Sequence, residues 1–197
     1  MKTYILPSLK LTGILILICA VIYPLIIAGI GKMTPGDGKG QTLEVNGKVV
    51  GYENIGQNFT SDTYFQGRPS AVNYNAAGSG GSNKGASNQE YLSLVQVRID
   101  SFLVHNPTIK KSEIPSELVT ASGSGLDPNI SVKAARIQVP RIAHLRDRSE
   151  KDIYDLIAKH TEKPLLGLFG PEKINVLKLN IALNTLQPFQ NEKTLSK

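Results

Sequence analysis

The sequence predicts an α+β protein: one N-terminal transmembrane helix, then a single α+β domain with a β-hairpin, several helices and a C-terminal strand. Three observations lead there. A charge-free run from Leu11 to Gly31 is bracketed by Lys10 and Lys32. Asn46-Gly47 stands between two short β-rich runs. Beyond it, apolar residues recur at helical spacing in several segments and at period two in one.

The apolar run comes first. At about 1.5 Å per residue, about twenty apolar residues cross a hydrocarbon layer of about 30 Å. No later run is long and apolar enough to repeat it. A cleaved signal peptide would have a shorter core followed by a small-x-small site. A lipoprotein anchor would place a small residue before Cys19, where Ile18 stands. A buried core helix would show a polar face. Pro24 removes one backbone hydrogen bond and kinks membrane helices where neighbours re-satisfy the freed carbonyl. Tyr23-Pro24 therefore marks either a surface for packing against other helices or a lipid-facing kink.

The expected organisation is a cytoplasmic tail over residues 1–10, the span at 11–31, a Gly/Pro linker at 32–41, a domain at 42–190 and a polar tail at 191–197. A short basic segment before a first apolar run stays inside while the long remainder is exported. The domain is thus expected outside the cytoplasm of a cell membrane. The single cysteine, Cys19, lies in the span, so the domain has neither disulfides nor a thiolate metal site. About 165 residues suffice for one domain with a real core. The net charge is +6 and there is no Trp. No aromatics interleave with the basic residues to stack on bases, which argues against nucleic acid. The charge fits a solvated surface beside anionic lipid or an acidic partner.

Within the domain, TLEV-NG-KVVG gives a β-hairpin over Thr42–Val50, because Asn-Gly supplies the positive φ angles of a tight turn. Ser87-Asn88-Gln89-Glu90 has the form of a capping box. Leu92, Val95, Ile99, Phe102 and Leu103 follow at helical spacing up to Asn106-Pro107, a stripe most simply assigned to the core. His105 is read as capping the last turn. Val132–Arg146 and Ser149–His160 read as helices interrupted at Pro140, the latter with Ser149 and Asp152 as its cap. Lys133, Arg136, Arg141, Arg146, Arg148 and Lys151 form a basic stripe of the kind that usually faces solvent. Ile174–Leu183 alternates with period two, a half-buried strand that turns helical towards Leu186.

Three stretches are candidates for function. In Ile55–Ala71, Tyr64 and Phe65 suit a core corner while Arg68 presents a fork of donors, either structural or at a partner-binding or ligand-binding edge. Val72–Asn88 is dominated by Gly, Ser and Asn. It is either a nest of amides for an anion or another protein, or a plain surface loop. Leu118–Ile130 is a second Gly/Ser loop, with small hydroxyls that line a ligand site or an Asp127 that caps a strand-to-helix turn.

Catalytic patterns are missing. Gly38-Lys39-Gly40 lacks the spacing and the hydroxyl of a phosphate loop. His105, His144 and His160 show no metal-ligand spacing. No Asp precedes Lys-Thr-Gly, and the span holds no charge for an ion path. An anchored hydrolase using Ser79, Ser82 or Ser124 would need a histidine within hydrogen-bond reach.

Several stretches, taken in order, carry a resemblance. They are the span ending in YPL, Gly56-Gln57-Asn58-Phe59, YFQGRPSA (Tyr64–Ala71), Tyr74-Asn75 leading to SGGSN (Ser79–Asn83), LVTASGSGLD (Leu118–Asp127), QVPRIA (Gln138–Ala143) and NVLKLNIAL (Asn175–Leu183). Together the set strongly resembles the C subunits of the bacterial Kdp-type potassium-transporting ATPases. The resemblance implies a non-catalytic accessory subunit of a high-affinity, ATP-driven potassium importer. Its partners would be a channel-like potassium-binding subunit, a P-type ATPase subunit that carries the phosphorylated Asp, and a small membrane peptide, with membrane lipid around the span. ATP and potassium would be handled by the complex, and no cofactor is expected on this chain.

Two roles come with the resemblance. One stabilises the assembly over the extracellular entrance of the channel-like partner. The other is a catalytic chaperone that raises the nucleotide affinity of the ATPase subunit, with Gln57 meeting nucleotide. ATP is cytoplasmic and one helix cannot bring an exported Gln57 to it, so an effect on ATP use would be allosteric. The partner-facing candidates are Tyr64, Phe65, Arg68, Asn75, Ser79, Gly80, Gly81, Ser82, Asn83, Thr120, Ser122, Ser124 and Asp127. The alternative is an anchored extracytoplasmic solute-binding domain outside any pump.

Overall fold

The computed structural model describes residues 2–186. The expected domain end at residue 190 and the tail 191–197 lie outside the described residues. The chain divides into two compact units, Met1–Thr42 and Leu43–Lys197.

The first unit is one continuous helical rod. α1 (Lys2–Ile16) passes into a π-helical stretch (Leu17–Ile22) and then α2 (Tyr23–Gly31). Pro24 explains the π turn. It has no N–H and crowds the carbonyl four residues back. Just before it, Tyr23 N–H reaches Ile18 O, five residues back, which widens the helix locally. The apolar stretch runs over Tyr4–Gly31, 28 residues, with none of its hydrophobic window buried in the chain itself. The helix thus begins well before Leu11, and the residues expected as a tail continue it. Turns follow, with Thr34 N–H on Gly31 O (3.1 Å), Asp37 N–H on Thr34 O (3.0 Å) and Lys39 N–H on Gly36 O (2.8 Å).

In the second unit, β1 (Thr42–Val45) and β2 (Lys48–Tyr52) form the hairpin. Asn46 (φ 52°) and Gly47 (φ 74°) supply the two left-handed residues of its turn. α3 (Gln89–His105) follows, then β3 (Asn129–Ile130), α4 (Val132–Arg136), α5 (Val139–Leu145), α6 (Glu150–His160), β4 (Ile174–Asn175) and α7 (Val176–Thr185). β3 and β4 pair antiparallel, Asn129 opposite Asn175 and Ile130 opposite Ile174. α6 packs on α4, α5 and α7. Its buried Ile153, Leu156 and Ile157 meet Ile142, Leu179 and Phe65 in one core. Ser149 Oγ accepts from Asp152 N–H (3.1 Å), the cap the sequence predicts.

Five expectations change. α3 is capped by Asn88, whose Oδ1 accepts from Tyr91 N–H (2.9 Å), while Glu90 pairs with Lys84 instead (2.9 Å). Of the predicted α3 stripe only Phe102 joins the core; Val95, Ile99 and Leu103 are half-buried and Leu92 is 44% exposed, while Val97 and Val104, outside the stripe, are 63% and 77% exposed. His105 binds Asp62 through Nδ1 (2.8 Å) rather than closing its own helix.

The basic stripe does not simply face solvent. Arg141 is buried, Arg146 Nε donates to Thr63 O (2.6 Å), and Arg148 donates to Leu186 O. The stripe spans α4, α5, α6 and the turn between the last two, so its members do not share one helix face. Lastly, the period-two reading of Ile174–Leu183 holds for β4 alone. Asn175 Oδ1 accepts from Lys178 N–H (3.0 Å) and opens α7, whose buried Val176, Leu179, Asn180 and Leu183 recur at helical spacing.

Candidate functional site

The segment Tyr64–Ala71 belongs to no helix or strand, so its buried backbone needs other partners. Buried amide side chains provide them. Asn180 on α7 accepts from Phe65 N–H (2.9 Å) and donates to Phe65 O (2.9 Å). Gln138, just before α5, accepts from Gln66 N–H (2.8 Å) and donates to Gln66 O (3.1 Å). Arg141 donates to Tyr64 O (3.2 Å), Asn106 Oδ1 (3.0 Å), Gln138 Oε1 (2.9 Å) and Asp62 O. Burial lowers the Arg141 pKa, and the Asp62 carboxylate opposes that shift. Phe65 is thereby fixed in the core, and Tyr64 sits beneath Arg146, 4.7 Å from guanidinium carbon to ring centre.

The same segment leads into the two Gly/Ser loops and joins them. Arg68 Nη1 meets Asp127 Oδ2 at 3.2 Å, and Tyr74 Oη donates to Arg68 O. Burial raises the Tyr74 pKa, against the lowering influence of Arg98, which keeps this hydroxyl a donor. Ser70 Oγ accepts from the amides of Val72 (3.1 Å) and Tyr74 (2.9 Å). Asn73 and Tyr74 are both left-handed, with φ of 52° and 56°. Across the gap, Ser122 N–H binds Pro69 O (3.2 Å). Gly80 N–H (2.9 Å) and Ser79 Oγ (3.0 Å) both donate to Ser124 O. Two glycines are required at the contact. A Cβ on Gly125 (φ 68°) would lie 2.6 Å from Val72 Cγ2, and one on Gly81 would lie 3.0 Å from Gly123 O.

Seven of the thirteen partner-facing candidates thus meet at one contact, with Ser122 buried inside it. Arg68, Ser79, Gly80, Gly81, Ser122, Ser124 and Asp127 are brought together, with Asp127 Oδ1 also accepting from Asn129 N–H (3.0 Å) and Ser124 Oγ from Leu126 N–H (3.1 Å). Asp127 therefore shapes the entry to β3, whereas α4 is capped by Ser131, whose Oγ accepts from Ala134 N–H (3.1 Å). Asn75 closes a turn by accepting from Ala77 N–H (3.0 Å), and Asn83 is exposed and left-handed. Ser82 lines a groove of about 490 Å³ with Ser70, Lys84, Glu90, Tyr91 and Arg98. Thr120 turns back to Ser116 O (2.8 Å). Tyr64 and Phe65 point into the packing described above.

Gln57 lies elsewhere, its Nε2 donating to Val50 O (3.0 Å) under the hairpin. It lines a crevice of about 10 Å³, far below the roughly 300 Å³ of a small ligand site. Among the described residues no hydrogen bond joins a histidine to Ser79, Ser82 or Ser124, and no three His, Cys, Asp or Glu side chains cluster to hold a metal. Gln138 and Asn180, which with Arg141 hold the central segment, fall in the quoted QVPRIA and NVLKLNIAL stretches without a signal of their own, and Arg141 reads only as one member of the basic stripe. A buried amide looks like a surface amide in sequence.

The family described as KdpC: K+-transporting ATPase, c chain, matches residues 5–185. A "Potassium-transporting ATPase KdpC subunit" of Flavobacterium psychrophilum is 57% identical over 179 residues, covering 91% of this chain and 96% of its relative. Proteins of the same description from Bacteroides thetaiotaomicron (93% of this chain, 98% of the relative) and Clostridioides difficile (92% and 96%) are 49% and 41% identical.

Proposed function

The chain belongs to the KdpC family, the c chain of the K+-transporting ATPase, and on that premise we propose that it stabilises assembly of the potassium-importing complex without chemistry of its own. In this reading the chain's N-terminus is cytoplasmic, its domain lies outside the cytoplasm, and its partners are the channel-like subunit, the P-type ATPase subunit and a small membrane peptide. The carrying observation is the joined pair of Gly/Ser loops. Their mutual hydrogen bonds hold exposed backbone and short polar side chains, including Asn75, Ser79 and Asn83, in one conformation. A pre-ordered surface of this kind loses little entropy on docking.

A chaperone effect on the ATP affinity of the ATPase subunit then travels through the membrane helix and the partners' states. The engagement of Gln57 Nε2 with Val50 O, and the small crevice beside it, support a structural role for that residue. The groove of about 490 Å³ beside α3 favours the alternative reading, a solute-binding domain.

Arg68→Ala tests the assembly reading. It removes the link between the central segment and Asp127. The variant complex is expected to lose subunits on mild detergent exchange, about tenfold faster than wild type, as a loss of about 1.4 kcal/mol at an interface gives. A complex of unchanged lifetime and activity contradicts the reading.

A further inference from the structure

The segment between α6 and β4 forms a finger that the assembly role does not use. Its base is a two-stranded bridge: Glu162 N–H binds Lys173 O (2.8 Å) and Lys173 N–H binds Glu162 O (3.1 Å). Its tip, Pro164–Gly170, holds Leu165, Leu166, Leu168 and Phe169, exposed by 70%, 82%, 81% and 64%. Four large apolar side chains within five residues form a patch, not scattered surface hydrophobes. Leu166 is also left-handed (φ 54°), a conformation that Asn or Gly adopts more cheaply. A bulky leucine held there points to a need for its side chain.

We propose that this finger inserts its tip into the interfacial region of the lipid bilayer. The tip's side chains carry no hydrogen-bonding group, unlike the Trp, Tyr and Arg anchors that dominate protein interfaces. Four of the tip's six amides are bonded within it: Leu165 N–H on Phe169 O (3.0 Å), Gly167 N–H on Pro164 O (2.9 Å), and Leu168 and Phe169 N–H on Leu165 O (3.1 and 3.0 Å). Its outer carbonyls, such as those of Leu166 and Leu168, need water, so the depth that fits is the hydrated interface and not the hydrocarbon centre. Glu162, Lys163, Glu172 and Lys173 make a charged, charge-balanced base, with Lys173 Nζ 3.5 Å from Glu162, which suits the headgroup zone and sets a limit of about 5–10 Å on how far the tip sinks. The chain's own apolar span, Tyr4–Gly31, keeps a bilayer close. Residues 32–41 reach at most about 35 Å when extended.

The chain has no tryptophan, so Phe169→Trp places a unique reporter on an exposed turn without touching the core. The full-length variant is reconstituted in phosphatidylcholine–phosphatidylglycerol vesicles, alone and with its partner subunits, and read with brominated acyl chains and with aqueous iodide, the emission of the matching wild-type preparation being subtracted to remove the partners' own tryptophans. In both preparations the emission is expected to be blue-shifted and quenched roughly twofold by bromine, with iodide ineffective. Leu166→Asn added to the reporter is expected to abolish bromine quenching without lowering the urea midpoint, since Asn suits the left-handed position. Quenching by iodide alone overturns the proposal. So does a reporter in the complex that neither agent reaches, which would bury the tip in a partner protein.

Discussion

Asn180 shows how much one side chain carries here. Its amide accepts from and donates to the same residue, Phe65, whose backbone has no strand beside it. Asn180→Leu keeps the volume but strands a buried N–H and a buried C=O. Each unmade bond costs about 1–3 kcal/mol, so a loss of about 2–4 kcal/mol is expected, read as a lower urea midpoint of the detergent-solubilised chain. His160 gives a pH signature. Burial first, then Lys159 and Lys178, hold its pKa below 6.5. The folded state then binds this proton less readily than the unfolded state. Stability from this group is present above pH 6.5 and is lost as pH falls through that value towards the lower folded pKa. A proton-resonance titration should place the His160 midpoint below 6.5, and His160→Gln should flatten the acid slope of stability.

At the scale of elements, the contact between the two Gly/Ser loops is the distinctive construction. Gly125→Ala adds a Cβ 2.6 Å from Val72 Cγ2 at a residue with φ 68°. It should part the loops, speed hydrogen exchange at the Gly80 amide bonded to Ser124 O, and speed proteolytic cleavage within residues 72–88. The hairpin and α6 were legible in the sequence because Asn46-Gly47 and Ser149 act locally on the backbone. α7 was harder, since Leu177, Leu179 and Ile181 satisfy a strand pattern while Val176, Leu179, Asn180 and Leu183 satisfy a helical one. Only the cap at Asn175 distinguishes them. The partial burial of the α3 stripe and the inward turn of Arg141 depend on which elements pack together, and no local signal carries that. The candidate loops were visible by composition, but Ser79 and Ser124 lie 45 residues apart, and nothing in either stretch announces that they bind.

For the whole molecule, division of labour explains the arrangement. In the proposed reading one apolar helix supplies attachment, a helical core supplies rigidity, and the loop pair supplies a surface for partners. Leu94, Val97 and Val104 of α3, 45%, 63% and 77% exposed, add apolar area of the kind that partners cover in an assembly. Affinity purification of the tagged full-length chain from potassium-starved membranes in mild detergent tests this most directly. A P-type ATPase chain and a multi-span channel-like chain should co-purify, identified by mass. Recovery of the chain alone across several detergents would contradict the account.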